Sequence, residues 1–112
     1  MILVLLFNLL AESFKNLGIG KPYHIILYSR NGMQWSSRVW WMLYVLGFRQ
    51  ASILDGGLIE WERLGFLTEN IVNKFEYADF DVKPNDNVFV SKDEVLLGMG
   101  KKSCVLLNAL TK

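Results

Sequence analysis

The chain has 112 residues, room for one small domain and marginal for two, and its 52% hydrophobic and 13% aromatic residues suffice to fill a core. A net charge of +1 with 21% charged residues gives no basic stripe for a polyanion and no acidic tail, which argues against nucleic-acid binding. A single cysteine, Cys104, and a single histidine, His24, exclude an internal disulfide framework and most metal constellations; no metal or cofactor is expected, and a reducing compartment, the cytoplasm, is the expected location.

The opening run Met1-Ile2-Leu3-Val4-Leu5-Leu6-Phe7 looks like a signal-peptide core, but no Lys or Arg precedes it and Asn8 interrupts it. Glu12 and Lys15 follow, so no stretch reaches the roughly 18–20 apolar residues that span a bilayer, and no membrane insertion is expected. Apolar residues at 3, 6, 7, 10, 14 and 17 instead have the spacing of a helix packed on one side, ended by Gly18. Tyr23 to Tyr28 is a short apolar run that fits a buried parallel strand. From Gln34 to Leu46 there is neither proline nor glycine. Ser36, Val39, Leu43 and Leu46 share one helical face with Trp40, and Trp41, Met42 and Val45 make the other sides apolar, so this helix should be covered on more than its sheet face.

Ala51 to Leu54 reads as a second strand, Asp55-Gly56-Gly57 as its turn, and Leu58 to Leu64 as a brief helix stopped by Gly65. Helices and strands in alternation imply parallel strands with right-handed crossovers, an α/β arrangement with a partial parallel sheet flanked by helices. Residues 68–87, rich in Asn and Asp, show no period and read as a linker. Val88-Phe89-Val90 then restores order. Ser91 and Glu94 fit a capping box ahead of Val95-Leu96-Leu97, and Ser103 to Leu107 reads as a last apolar strand. Gly18-Ile19-Gly20-Lys21 and Gly98-Met99-Gly100-Lys101 look like pieces of a phosphate loop, but each lacks the first glycine and the closing Ser/Thr of that motif.

The stretch Tyr28-Ser29-Arg30-Asn31-Gly32-Met33-Gln34-Trp35-Ser36-Ser37-Arg38-Val39-Trp40-Trp41-Met42-Leu43, followed by Leu46-Gly47-Phe48 and by Ile53-Leu54-Asp55-Gly56-Gly57-Leu58-Ile59-Glu60-Trp61, resembles the rhodanese-like sulfurtransferases. It is most similar to the first domain of two-domain thiosulfate and 3-mercaptopyruvate sulfurtransferases. More weakly, the resemblance extends over nearly the whole chain. It implies an incomplete first rhodanese-like domain over 1–67, an interdomain linker over 68–87 and the start of a truncated second domain over 88–112, in which Val88 to Leu110 looks like that domain's opening strand, helix and strand.

In that family a cysteine thiolate accepts a sulfane sulfur, becomes a persulfide and passes the sulfur to cyanide or a thiol. A polarisable thiolate combines nucleophilicity near neutral pH with a stable sulfur–sulfur bond. The matching position here is Ser29, where the family's non-catalytic domain usually has aspartate and its catalytic domain cysteine; the resemblance places the reactive cysteine downstream of Lys112. A serine hydroxyl cannot hold a persulfide, so this chain alone is expected to be inactive.

Cys104, at the start of an apolar strand, reads as a buried core residue and not a nucleophile. His24 and Ser29 are five apart on one strand, hence on opposite faces, which argues against a triad of Ser29, His24 and Asp55. Arg38 is the one retained candidate for substrate binding. It matches the arginine before the family's Trp-Trp pair, where a guanidinium pairs with a carboxylate at the domain interface or fixes its own helix through an ion pair. Two further readings stand beside the sulfurtransferase fragment: a non-catalytic binding or regulatory module that holds a partner with Trp40, Trp41 and Tyr44, and an enzyme that uses Cys104. Missing sheet strands predict self-association or dependence on a complementary second domain.

Overall fold

The computed structural model describes residues 2–110. Met1, which opens the N-terminal apolar run, lies outside the described residues, as do Thr111 and Lys112 at the end of the expected second domain. The elements run α1 (Ile2–Asn16), β1 (Ile25–Leu27), α2 (Gln34–Val45), β2 (Ala51–Ile53), α3 (Gly57–Arg63), a 3-10 turn (Asp86–Val88) and α4 (Lys92–Gly98). No helix among the described residues is long and apolar enough to cross a membrane.

The two strands pair in parallel, with Ile25 opposite Ala51, Ile26 opposite Ser52 and Leu27 opposite Ile53. This is the parallel sheet expected from the sequence, reduced to two strands. Phe7, Ala11 and Phe14 of α1, Leu43 and Val45 of α2, and Leu46, Phe48, Ala51 and Phe80 form the core. The α1 stripe is narrower than its sequence period implies: Leu3, Leu6 and Leu17 are exposed, while Ala11 and the stem of Lys15 turn inward. Trp40 leans on the edge of β2 and donates its indole N–H to the Ala51 carbonyl at 3.1 Å.

α1, α2 and α3 all end in the same way. At Gly18, Gly47 and Gly65 the backbone takes φ of +83°, +89° and +77°, which only glycine adopts without strain. In each case the glycine N–H and the N–H after it fold back onto the last turn's carbonyls, as in Gly47 to Tyr44 and Phe48 to Leu43, so the orphan carbonyls are satisfied.

The polar stretch after α3 contains neither helix nor strand before Asp86, as its composition implies, yet part of it is built into the fold. Ala78 and Phe80 are buried, and Phe80 meets Phe48 edge-on at 5.1 Å. Backbone bonds run from Ala78 N–H to the Lys15 carbonyl, from Lys21 N–H to Asp79, from Lys83 N–H to Leu46 and from Asn85 N–H to Val45. Gly20 permits this approach, because a Cβ there would lie 2.6 Å from the Asp79 carbonyl oxygen. Composition alone is blind to two apolar side chains inside an otherwise solvated run.

Two strand expectations are corrected. Val88-Phe89-Val90 is not a strand: Val88 closes the 3-10 turn, and Phe89 stacks against Phe7. Residues 103–107 are not a strand either, and Val105 and Leu107 are 78% and 89% exposed. A strand needs a neighbouring edge for its backbone groups, and none is beside these segments among the described residues. The capping box forms as expected: Glu94 N–H donates to Ser91 Oγ at 3.2 Å and Ser91 N–H donates to Glu94 Oε2 at 2.6 Å.

Candidate functional site

The carboxyl ends of β1 and β2 lie side by side, so the loop after β1 (residues 28–33) faces the turn after β2 (residues 54–56). Leu54 N–H donates to the Leu27 carbonyl at 2.8 Å and Leu58 N–H to the Ser29 carbonyl at 3.1 Å, which ties the first turn of α3 to the loop. Gly57 is required here. Its φ is +60°, and a Cβ would overlap the Ser29 carbonyl oxygen. Asp55-Gly56-Gly57 is therefore a structural turn, as its sequence reads, and Asp55 itself is exposed.

Ser29 is half-buried in the loop. Its hydroxyl donates to the Gly32 carbonyl, and its Oγ is 3.3 Å from Ser36 Oγ at the start of α2. Among the described residues no histidine, lysine or carboxylate is hydrogen-bonded to it. His24 is committed elsewhere, with Nε2 2.8 Å from Ser52 Oγ on the adjacent strand. Among the described residues no Ser-His-Asp relay forms, but not for the reason of strand alternation: β1 is only Ile25–Leu27, and both His24 and Ser29 lie outside it.

Arg38 is exposed on α2, and among the described residues it makes neither an ion pair nor a side-chain hydrogen bond. The arginine joined to this loop is a different one, missed in the sequence. Arg30 reaches Glu62 of α3 through both terminal nitrogens, at 3.2 and 3.1 Å, a bidentate clamp between loop and helix. Arg30 is 32 positions from Glu62, so only the crossover topology brings them together; the one available signal was an arginine in the loop itself.

Beside the clamp is an open groove of about 560 Å³ lined by Ile26, Tyr28, Leu54, Leu58, Trp61 and Leu67, with Glu62 and Glu69 at its rim. The aromatic group on α2 packs on itself: Trp40 and Trp41 both stack on Tyr44, at 5.2 and 5.7 Å, and Arg49 covers the Tyr44 ring at 3.6 Å, while Trp41 stays exposed.

Cys104 is neither buried nor in a strand, which corrects the expectation of a core cysteine; it is half-exposed beside Gly98 of α4. Among the described residues no group of three or more His, Cys, Asp or Glu side chains is arranged to hold a metal ion.

A two-stranded parallel sheet with an active-type loop packed on a glycine turn defines an α/β domain whose chemistry, where present, lies at the strand ends. The profile of the Rhodanese-like domain matches residues 4–64, and the chain belongs to that family. It is similar to the 3-mercaptopyruvate sulfurtransferase of Escherichia coli K12, 29% identical over 99 residues that cover 88% of this chain and 35% of that protein. It is also similar to the thiosulfate sulfurtransferase of Rattus norvegicus, 30% identical over 96 residues covering 84% of this chain and 32% of that one. The crystal structure of a 3-mercaptopyruvate sulfurtransferase from Escherichia coli superposes with a TM-score of 0.70 at 32% identity, over 79% of this chain and 34% of the other. The chain thus spans about a third of the length of these relatives.

Proposed function

We propose that this chain forms the non-catalytic rhodanese-like half of a sulfurtransferase that uses thiosulfate or 3-mercaptopyruvate, with the sulfur-carrying cysteine supplied by a complementary second domain. On its own it transfers no sulfur. The observation that carries this reading is the state of Ser29: in the loop after β1, where the resemblance puts the family's reactive cysteine, a hydroxyl donates to its own loop and has no bonded base among the described residues. A hydroxyl so placed is neither activated nor able to hold a persulfide.

The loop retains its scaffolding role. Arg30 and Glu62 lock it to α3, and the Ser29 carbonyl receives the Leu58 N–H, so the chain offers a rigid wall against which a catalytic loop can close. The names of the similar proteins support thiosulfate or 3-mercaptopyruvate as the donor, and a single cysteine fits a reducing compartment such as the cytoplasm.

The test is a sulfurtransferase assay of the chain with thiosulfate and with 3-mercaptopyruvate, in the presence and absence of a separately expressed second domain. The chain alone gives no thiocyanate from cyanide and no persulfide on Cys104 by mass spectrometry, and it raises the turnover of the added domain. Turnover by the chain alone, or a persulfide on Cys104, refutes the proposal. A domain whose turnover is unaffected favours the non-catalytic binding module instead.

A further inference from the structure

We infer that the open edge of β1 and the groove beside it receive residues 103–107 of a second copy of this chain as an added strand. This assignment is independent of the sulfur chemistry.

The acceptor is a sheet edge. The ladder uses the backbone of Ile25 and Leu27, as in Ile25 N–H to Gln50 and Leu54 N–H to Leu27, so the N–H and C=O of Ile26 point away from β2. Ile26 is 54% exposed and lines the groove together with Tyr28, Leu54, Leu58, Trp61 and Leu67. An unpaired edge next to an apolar trough binds an extended segment through its main chain and admits alternate side chains into the trough.

The donor is in the same sequence. Cys104-Val105-Leu106-Leu107 has the composition of a strand, without a partner strand among the described residues, and its apolar side chains stand in solvent. Five extended residues reach about 16 Å, enough to run alongside a three-residue strand and the loop entry beyond it. Lys101 and Lys102, both exposed, lead into the segment; on the groove Arg30 neutralises Glu62, which leaves the carboxylate of Glu69 as the acidic group that the two lysines can meet. Each copy carries both donor and acceptor, so two chains can exchange segments reciprocally and close as a pair.

The surface of the chain leaves room for such a contact. It exposes 9407 Å², against about 6,300 Å² for a compact monomer of 12.9 kDa, an excess larger than a standard interface buries.

Cys104 makes the test direct. Full-length Thr68→Cys, with the new thiol at the groove, is oxidised at increasing protein concentration beside Ser13→Cys, an exposed control on α1. The expected result is an interchain disulfide with Cys104 in Thr68→Cys only, its yield rising with concentration. In the double variant Val105→Lys/Leu107→Lys, dimer detected by sedimentation falls about tenfold or more while the circular dichroism is unchanged. An intrachain disulfide, equal crosslinking of the α1 control, a dimer that persists in the lysine variant, or a wild-type chain that stays monomeric would each overturn the assignment.

Discussion

Gly57 and Lys15 show how single residues set the limits of this fold. At Gly57 positive φ and steric exclusion act together, so Gly57→Ala should cost about 1–3 kcal/mol through strain and displacement of the Ser29 carbonyl. Urea unfolding checks this, and a change below about 0.5 kcal/mol, the level of an ordinary surface substitution, would refute it. Lys15 Nζ is 2.7 Å from Asp79 Oδ1, and its side chain is only 11% exposed against 71% for Asp79. The shared hydrogen bond raises the Lys15 pKa above its ordinary 10.5 and lowers that of Asp79 below its ordinary 3.8. The depressed carboxyl stabilises the fold above its unfolded pKa, and that contribution is lost as pH falls through the folded value. The raised ammonium stabilises below 10.5, and its share is lost as pH rises through the folded value. Thermal melts from pH 2 to 5 should therefore fall less steeply for Asp79→Asn than for the wild type, and the difference should shrink in high salt because the carboxylate faces water. Parallel acid limbs for the two proteins would show that the pair is not coupled to folding.

At the scale of elements, the first 65 residues were legible because their signals are local. A 3.6-residue apolar period, glycine stops and short apolar runs predict α1, β1, α2, β2 and α3 to within about two residues at most boundaries, the usual play at element ends. The segments after them were misread where the signal depends on distant partners. Residues 103–107 have strand composition without a strand's neighbour, and Phe80 is in the core because the chain folds back over α1 and Phe48. The candidate site divides in the same way. The place of Ser29 in a loop after a strand was legible from the sequence, whereas the Arg30–Glu62 clamp and the half-exposure of Cys104 require the fold. α4 is the clearest locally specified element, since its capping box satisfies two orphan groups within four residues. Ser91→Ala should cost this helix about 1 kcal/mol and speed hydrogen exchange over Lys92–Gly98. The cooperative melt of the core should stay where it is, because none of the residues of α4 is buried. A clear fall in that melt would mean that α4 is coupled to the core.

For the whole molecule the determining fact is how unevenly the core is shared. The radius of gyration is 17.5 Å, against about 13 Å for a compact chain of this length, and the principal extents are 50 × 35 × 19 Å. Every buried residue of the core cluster lies between Phe7 and Phe80, with Val88 packed on its margin. Beyond it, Val90, Leu96, Leu97, Val105, Leu106 and Leu107 are all more than half exposed. Opening free energies should follow the same gradient, since a region with few buried apolar contacts opens at little cost. Brief proteolysis of the full chain at low concentration should therefore cut first after residue 90 and in the exposed segment 66–77, and spare α1, both strands, α2 and the 78–85 strap. Hydrogen exchange should rank the amides in the same order, slowest at Leu43 to Phe48 and fastest over 99–108. Raising the concentration tests whether that tail is idle or engaged: if residues 103–107 pair with β1 of a second copy, their protection and their resistance to cleavage rise with concentration, while Lys92–Gly98 gains little. Cleavage that begins inside residues 7–63 at low concentration would show instead that the two-stranded sheet does not hold the core closed.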